Sequence, residues 1–439
     1  MKEDKISNSK TGRLFKIGKT LVKATGAYAL EKGKQKAQEL TSKIEDGQEY
    51  VAQIKAAKEL ISTMGHLKGG MMKLGQMISI TDDLMLPKEV TDLFKVLQKD
   101  TSYMPKEDLI KQFQDSFQTS PDELFLEFEY KPIAAASIGQ VHKAKLKSGE
   151  YVAVKVQYPN IESIVEKDLE QMDTIKKMLE KVIPNMEASD HIIDELKRSL
   201  LEECDYIQEA KNIKSFHKNF KDSNEILIPK VFEELSTKTI LTMEFMEGDH
   251  FEETLDYPQE VRDNLAQTFY DFHFTALCEY RHIHADPQHG NYLFTHDKII
   301  VLDFGATKEF TKDFITRYLS FSKSISTHDL TKFKKHMCEF NFLKDDATDE
   351  RVEEYFELIH EFYAPFIVEG KQKVQGENPF QSLFNFLNAI KFKDKTVPDE
   401  NFILLDRANI GVYMKARKWN ASVDWLSMIN KYQKMYGIE

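Results

Sequence analysis

The stretch from His284 to Gly305, with the sequence HADPQHGNYLFTHDKIIVLDFG, constrains this chain more than any other. Asp286 and Asn291 lie five residues apart in a segment that also contains a proline and a glycine, which are typical of turns. Two short β-rich runs follow, and Asp303 comes directly after the second. We therefore predict a strand, a turn, a second strand and an acidic turn. The three side chains suit phosphate chemistry, although Asp, Asn and Gly are also ordinary turn residues.

The same spacing resembles the catalytic segment of protein kinases. There, an Asp that precedes an Asn by five positions orients the attacking hydroxyl, and the Asn binds one magnesium ion. The Asp of a following Asp-Phe-Gly binds magnesium that bridges the phosphates. Asp286, Asn291 and Asp303 fit these roles in that order, and His284 precedes Asp286 by two residues. We predict Asp286 as the catalytic residue, with Asn291 and Asp303 as the metal ligands.

A predicted β-sheet that begins near Leu124 would supply the nucleotide-binding half of such a site. Its strand YVAVKV carries Lys155, which fits the kinase lysine that contacts the α- and β-phosphates. The glycine-rich loop expected before this strand is missing. Small residues take its place, and we predict that they contact the nucleotide: Ala134, Ala135, Ala136, Ser137 and Gly139. Because the alanine Cβ atoms restrict the backbone, we expect a stiffer loop and altered nucleotide handling.

A helical stretch from about Ala188 to Phe216 contains three acidic candidates for pairing with Lys155. They are Glu203, Asp205 and Glu209. A kinase needs a helical Glu to hold this lysine, and we assign Glu209 to that role. On a continuous helix Glu203 lies six residues away, about 240° around the axis, so Glu203 and Asp205 could face a different partner.

Lys73 is the attractive partner for those two acids. It lies in a predicted helix within the sequence KLGQ, where Lys73 and Gln76 are three residues apart and share one helix face. A solvated helix face is the alternative interpretation for the acids and for the lysine.

The apolar sequence TILTMEFMEG predicts the last strand of the sheet and a hinge after it. We expect backbone groups of the hinge, at Glu244 and Met246, to bond the adenine. Beyond Gly305 the pattern is almost wholly helical. Its last predicted helix runs from Leu404 to Arg417, and a turn over 419–425 closes the fold.

Composition excludes several classes of protein. The 439 residues carry a formal net charge of −12, and no basic surface accompanies the body of the chain, so nucleic-acid binding is not expected. The three cysteines have no paired spacing, which indicates a reducing compartment. No apolar run approaches the roughly 20 residues of a spanning helix. We expect a cytoplasmic protein that is soluble or peripheral at a membrane.

A basic segment from Arg13 to about Leu40 has helical spacing. Such a helix can lie on an anionic membrane surface, where each cation contributes about 1 kcal/mol. A helix that packs against the protein itself, with solvated lysines, fits the pattern equally well.

The chain resembles the UbiB/AarF-like atypical kinases over nearly its full length. The resemblance rests on six motifs in order: KLGQ at 73–76, AAASIGQ at 134–140, VAVK at 152–155, ECDYIQEA at 203–210, HADPQHGN at 284–291 and DFG at 303–305. It implies an α+β, bilobed protein-kinase-like fold with an N-terminal helical extension that bears KxGQ. We expect the extension over 1–120, the kinase-like N-lobe over 121–246 and the helical C-lobe over 247–439.

The resemblance also implies roles and partners. In the family the KxGQ lysine meets the ExD acids, which implies contacts of Lys73 with Glu203 and Asp205. The VAxK lysine pairs with the later Glu, which implies Lys155 with Glu209. Such members bind ATP or ADP with Mg²⁺ and look like lipid-responsive ATPases or small-molecule kinases. Mitochondrial members assist coenzyme Q biosynthesis, so an anionic membrane surface or an isoprenoid lipid is the implied partner.

Three features depart from the family pattern. Gln288 and His289 stand where many bacterial relatives have His-Pro, which alters the loop around Asp286. Thr81 falls near a position where relatives often carry an Arg. The pair of C-terminal membrane-spanning helices of some bacterial members is missing, which leaves the basic N-terminal helix as the expected membrane contact.

The sequence therefore predicts an atypical kinase or ATPase that binds Mg-ATP and transfers the γ-phosphoryl group to water or to a small or lipid-associated acceptor. A conventional protein kinase is the first alternative, and efficient phosphorylation of a protein in trans would favour it. An ATP-gated pseudoenzyme scaffold of a lipid pathway is the second, and nucleotide binding without hydrolysis would favour it.

Overall fold

The computed structural model describes residues 103–136, 138–170, 201, 203–374, 396 and 398–438. These residues form two compact units. Unit 1 contains the described residues up to Lys211 together with Lys230–Phe245, and unit 2 contains Asn212–Pro229 and the described residues from Met246 onward. The expected three-part division of the chain stays a prediction, since most of the 1–120 extension lies outside the described residues.

Unit 1 is an antiparallel sheet with helices. Its sheet has the strand order β1-β3-β4-β6, and β2 pairs with β3. In chain order its elements are α1 (Lys106–Phe117), α2 (Pro121–Leu124), β1 (Glu127–Phe128), β2 (Ala134–Ala135), β3 (Gly139–Lys145), β4 (Tyr151–Gln157), α3 (Ile161–Glu170), the start of α4 (Tyr206–Phe220) and β6 (Ile240–Glu244). Strand β5 (Ile226–Leu227) lies between α4 and β6 in the sequence and belongs to unit 2.

Strand β4 explains how the sheet positions a functional side chain. Successive side chains on a strand point to opposite faces. Val152, Val154 and Val156 join one buried apolar cluster, which also contains Phe113 of α1. The alternate positions, which include Lys155, therefore project from the other face of the sheet. The alternation of valines with other residues fixes the register, because a shift of one residue would bury the wrong set.

Unit 2 is mostly helical, with short strand pairs that carry its loops. Strands β5, β9 and β8 form one sheet, and β7 pairs with β10. The remaining elements are α5 (Gln259–Thr275), β7 (His282–His284), β8 (Tyr292–Phe294), β9 (Ile299–Val301), β10 (Thr307–Glu309), α6 (Lys312–Ser326), α7 (Leu330–Glu339), α8 (Asp349–Tyr363), β11 (Gln372–Lys373), α9 (Glu400–Lys418), β12 (Ser422–Val423) and α10 (Trp425–Met435).

Aromatic side chains form much of the core of unit 2. Phe321, Phe340 and Phe402 join α6, the end of α7 and α9, with ring centroids 4.8 to 6.1 Å apart. Each such ring buries a large apolar area, and tilted or edge-to-face pairs add stability beyond that area. Phe321, Phe340 and Phe402 are all buried, so these rings form part of the core.

Two predictions about helices were wrong. The stretch predicted as one helix to Phe216 is interrupted in its described part, because Cys204 and Asp205 are not helical and α4 begins at Tyr206. The 240° argument, which assumed a continuous helix, does not apply. The predicted last helix extends over Glu400–Lys418, and a further helix, α10, follows where only a turn was expected.

In the part of the chain that the structure describes, no helix is both long and apolar enough to span a bilayer.

Candidate active site

Lys155 and Glu209 form a buried ion pair in unit 1. The Lys155 ammonium lies 2.9 Å from Oε1 and 3.0 Å from Oε2 of the glutamate. The two residues are 6% and 2% exposed, and the Tyr206 ring centre lies 5.0 Å from the ammonium. A buried charge is tolerated only when a well-placed partner compensates the lost hydration. The structure thus brings together the lysine and the glutamate that the sequence paired.

The alanine-rich segment forms a tight hairpin. Ala134 and Ala135 pair with Val141 and Gln140, and the amide of Ala136 donates to the Gly139 carbonyl at 3.0 Å. Gly139 is needed for packing, since a Cβ there would overlap the Val156 carbonyl oxygen of β4. The segment is therefore held by strand pairing. Ser137, also predicted to contact the nucleotide, lies outside the described residues.

The loop between β7 and β8 carries Asp286 and Asn291 in unit 2. The amide of Gln288 donates to Asp286 Oδ1 at 3.3 Å, which makes the loop turn directly after the aspartate. Nδ2 of Asn291 donates to the Asp286 backbone carbonyl at 3.2 Å. These two bonds fix the relative orientation of the predicted catalytic and metal-binding side chains.

Asp303 lies in the loop between β9 and β10, next to Asn291. The amide of Leu302 donates to the Asn291 carbonyl at 2.9 Å, so the hairpin of β8 and β9 brings the two metal candidates to one end. The amide of Gly305 donates to Asp303 Oδ1 at 3.0 Å. Nδ2 of Asn212, on α4, donates to the Phe304 carbonyl at 3.0 Å and anchors this loop to the helix.

His284 joins the two loops. Its Nε2 lies 2.5 Å from the Asp303 carbonyl oxygen, and because a carbonyl only accepts, Nε2 carries a proton and donates. Burial lowers the pKa of His284, so the ring is neutral near pH 7. Nδ1 then accepts from the Tyr292 hydroxyl, 3.1 Å away. The histidine that the sequence placed before Asp286 therefore organises the backbone of the Asp303 loop.

The donor set fits magnesium. Mg²⁺ binds oxygen ligands, and proteins commonly provide one or two carboxylates while substrate phosphates and water complete the shell. Nδ2 of Asn291 donates to the Asp286 carbonyl. The amide oxygen of Asn291 is therefore the group that can act as a metal ligand, together with the Asp303 carboxylate. Within the described ranges, no cluster of three or more His, Cys, Asp or Glu side chains forms a complete protein site for a metal.

His289, one of the two loop residues that differ from the family pattern, packs against a neighbouring aromatic ring. The His289 ring stacks on Phe251, with the ring centres 3.9 Å apart, and begins a short 3₁₀ turn that leads to Asn291. Burial lowers the pKa of His289 to about 2, with Lys415 contributing. The ring is therefore neutral, and its 3.6 Å separation from a Glu252 carboxylate oxygen is not an ion pair.

The predicted hinge ends strand β6. The amide of Glu244 donates to the Lys230 carbonyl at 2.8 Å, and the amide of Phe245 donates to Tyr151 at 3.1 Å. The Glu244 amide already donates a hydrogen bond within the protein. The predicted adenine contact at this residue would therefore be made by its carbonyl oxygen. Met246, the other predicted adenine contact, is the residue at which unit 2 resumes after Phe245.

The remaining predicted residues are only partly described. Lys73 lies outside the described residues, so the structure does not report on its contacts with the acids. The backbone carbonyl of Glu203 accepts from Gln157 at 3.3 Å. Asp205 Oδ1 accepts the amides of Ile207 and Gln208, at 3.0 and 3.2 Å, and so caps α4.

Residues 96–337 match the family model of the ABC1 atypical kinase-like domain, which is more than half of the chain. The chain belongs to the ABC1 atypical kinase-like family. The resemblance to UbiB/AarF-like kinases and the α+β protein-kinase-like fold are thereby confirmed.

The chain is also similar to individual proteins that are named as atypical kinases. The atypical kinase coq-8, mitochondrial, of Caenorhabditis elegans is 28% identical over 386 residues, which cover 87% of this chain and 51% of that protein. The atypical kinase COQ8B, mitochondrial, of Danio rerio is 30% identical over 289 residues, 65% of this chain and 46% of that protein. The chain thus spans about half the length of these two relatives.

A solved structure shares the fold. A structure of the Rv3197–erythromycin complex from Mycobacterium tuberculosis superposes with a TM-score of 0.58 at 23% identity. The match covers 89% of this chain and 97% of the other. At this identity the likeness concerns the fold alone.

Two residues that contact the loop between β7 and β8 were not singled out from the sequence. Lys415 and Gly411 lie one turn apart on α9, and both meet Pro287. Their i, i+4 spacing on a helix with an apolar face was the available signal. A lysine in such a pattern is normally expected to be exposed to solvent, because lysine is rarely buried.

Proposed function

We propose that the protein is an atypical kinase or ATPase that binds Mg-ATP and transfers its γ-phosphoryl group. The observation that carries the proposal is the buried Lys155–Glu209 pair. If the pair served stability alone, apolar side chains at both positions could replace it at little cost, since a buried ion pair is seldom better than well-packed hydrophobic residues. In a kinase, the pair serves to hold an ammonium ready for phosphates.

Each residue has a role in this proposal. Lys155 binds the α- and β-phosphates, and Glu209 keeps its ammonium oriented. Asp286 orients the attacking water or acceptor hydroxyl. Asn291 and Asp303 hold magnesium, which when bound neutralises charge on the phosphates. The alanine-rich hairpin lets its backbone approach the nucleotide, with strand pairing limiting its freedom.

Lys73, Glu203 and Asp205 have a different role in the proposal. We propose that Lys73 contacts the two acids and controls access of the acceptor. The helix cap formed by Asp205 supports this in one respect, because it gives the acid a fixed position at the start of α4, four residues before Glu209. Glu244 and Met246 remain the proposed adenine contacts.

The proposed biological role is support of isoprenoid quinone metabolism, of the ubiquinone type, or of membrane lipid metabolism. The relatives from C. elegans and D. rerio carry the word mitochondrial in their names, and UbiB/AarF-like proteins are tied to this metabolism. We propose peripheral contact with an anionic membrane surface or an isoprenoid lipid through the basic segment near Arg13.

The test measures hydrolysis of Mg-ATP by the full chain, with and without anionic liposomes. We expect hydrolysis that liposomes stimulate and that Asp303→Asn abolishes. Asp297→Asn is the matched control, because Asp297 is exposed in the turn between β8 and β9, six residues from Asp303. Nucleotide binding without hydrolysis in the wild type, under both conditions, would contradict the proposal and favour the scaffold alternative.

A further inference from the structure

Helix α9 packs against Pro287 in the loop between β7 and β8. Gly411 faces Pro287 so closely that a Cβ on the glycine would overlap Pro287 Cγ and lie 2.7 Å from its Cβ. One turn later, Nζ of Lys415 donates a hydrogen bond to the Pro287 backbone carbonyl. Pro287 directly follows Asp286, so both contacts act next to the predicted catalytic carboxylate.

The ammonium of Lys415 lies in an unusual environment. The residue is 1% exposed, and its Nζ lies 4.9 Å from the ring centre of Tyr292 and 5.1 Å from that of Phe269. The Pro287 carbonyl and the aromatic faces are its direct partners in the described chain. The charges of Asp286 and Glu252 also act on Lys415, but neither carboxylate forms a salt bridge with it. Cation–π contacts of a desolvated cation contribute about 2 kcal/mol, which only partly offsets the cost of burying an ammonium.

One peptide unit links Lys415 to Asp286. The carbonyl of the Pro287–Gln288 peptide accepts from Lys415, and the N–H of the same peptide donates to Asp286 Oδ1 at 3.3 Å. Because a peptide unit is planar, fixing its carbonyl also fixes the direction of its N–H. A hydrogen bond to the carbonyl also polarises the peptide and strengthens its N–H as a donor.

We propose that Lys415 is a positioning residue that orients the Asp286 carboxylate through the Pro287–Gln288 peptide, with Gly411 allowing the helix to come close enough. The catalytic consequence rests on the proposed function, whereas the positioning itself is a property of the loop. Burial lowers the pKa of Lys415 to about 7, yet both protonation states retain an N–H for the carbonyl.

The discriminating variant is Lys415→Met, with Lys418→Met as the matched control. Methionine keeps a long, unbranched, apolar stem in the aromatic pocket and removes the donor. Lys418 is exposed on the same helix, so its variant makes the same chemical change and leaves the hydrogen bond from Lys415 to Pro287 in place. Three quantities are measured in the full chain: steady-state ATP hydrolysis, the melting temperature, and amide hydrogen exchange of the segment 284–292.

We expect Lys415→Met to lower kcat about 10- to 100-fold, as small misplacements of reacting groups do. KM for ATP should change less than about twofold, because uniform binding of substrate is untouched. The melting temperature should not fall, since removing a buried charge offsets the lost hydrogen bond. The amide of Gln288 should exchange about tenfold faster, because its bond to Asp286 opens more often.

A structural role alone would give a different pattern. A lower melting temperature, with kcat unchanged in the protein that remains folded, would overturn the proposal. Unchanged exchange of the Gln288 amide would also overturn it. If the wild type does not hydrolyse ATP, the proposed function fails, and faster exchange in Lys415→Met still supports the positioning of Asp286. The two failures are therefore distinguishable.

Discussion

The imidazole Nε2 of His284 donates to the backbone carbonyl of Asp303 at 2.5 Å, which ties the end of strand β7, just before Asp286, to the loop that carries a proposed magnesium ligand. The Tyr292 hydroxyl donates to the other ring nitrogen, at 3.1 Å. The bond to Tyr292 is buried and the bond to Asp303 is partly buried, so the histidine acts as a connector between the two loops.

His284→Phe removes both hydrogen bonds and keeps a ring of similar size. A buried carbonyl that loses its donor costs about 1 to 3 kcal/mol, so we expect a lower melting temperature. Because Asp303 would no longer be held, the Mg²⁺ concentration needed for half-maximal ATP hydrolysis should rise about tenfold. Calorimetry and a magnesium titration of hydrolysis measure the two effects.

His296→Phe is the control for this change. His296 is exposed in the turn between β8 and β9 and stacks on Tyr257, with the ring centres 4.3 Å apart. Its replacement should leave the magnesium requirement unchanged. An equal shift in both variants would show that loss of an imidazole, and not release of Asp303, causes the effect.

The Lys155–Glu209 pair predicts opposite outcomes for stability and for nucleotide binding. Glu209→Leu leaves a buried ammonium without its counter-charge, which should destabilise the protein by about 3 to 5 kcal/mol. Combining it with Lys155→Met should recover most of that stability, because both charges are removed. Neither the single nor the double variant should bind Mg-ATP with wild-type affinity.

Denaturant unfolding and isothermal titration with Mg-ATP measure the two outcomes on the same samples. Arg317 and Asp313 form an exposed pair on α6, 3.0 Å apart, and provide the control. Removing that pair should change stability by less than about 1 kcal/mol. A double variant at Lys155 and Glu209 that binds nucleotide normally would contradict the role of the pair.

Two substitutions of Asp205 distinguish its role as the cap of α4 from the role of its negative charge. Asp205→Ala removes the cap of α4 and should cost about 1 kcal/mol of unfolding free energy. Asp205→Asn retains a capping oxygen and should keep most of that stability. If a charge pair with Lys73 also matters, the Asn variant should nonetheless change the preference between ATP and ADP.

The preference is measured by competition binding, with the free energy of unfolding taken from denaturant titration. Asp205→Asn with both wild-type stability and wild-type nucleotide preference would leave only the helix cap as a role for this residue. A large loss of stability in Asp205→Asn would show that the charge itself supports the fold.

Local patterns account for the parts of the site that the sequence predicted. The β-rich runs on either side of Asp297 form the hairpin that places Asn291 beside Asp303, because strand pairing over a short turn leaves few alternatives. The valine alternation of β4 fixed the face of Lys155, since the period of a strand is two residues. Family motifs then assigned Glu209.

One local effect and one long-range contact account for what the sequence did not predict. The interruption at Asp205 is hidden because the acidic residues continue a helical pattern on both sides, while the aspartate bonds the amides of α4. The hydrogen bond from Lys415 to Pro287 joins residues 128 positions apart. Neither the sequence around Pro287 nor that around Lys415 predicts this contact. Packing of α9 against Pro287 overrides the usual solvent exposure of lysine.

Asp406 predicts how stability depends on pH. The residue is buried on α9, and its Oδ1 accepts from Tyr318 at 3.2 Å and from Tyr363 at 3.0 Å. Burial raises the pKa of this carboxyl to about 7, from the ordinary value of 3.8. Because the folded protein holds the proton more tightly, this group stabilises the fold fully below about pH 4, and the contribution is lost as pH rises through about 7.

The shift corresponds to about 4 kcal/mol between these limits. Asp406→Asn removes the titration, so its melting temperature should decline less than that of the wild type between pH 5 and pH 8. Tyr363→Phe should move the decline to higher pH, since the Tyr363 hydroxyl stabilises the ionised carboxylate and lowers its pKa. Calorimetry across this range measures both effects. Parallel profiles for the wild type and Asp406→Asn would show that the carboxyl is already ionised in the folded protein at pH 5, so that its pKa is not raised into this range.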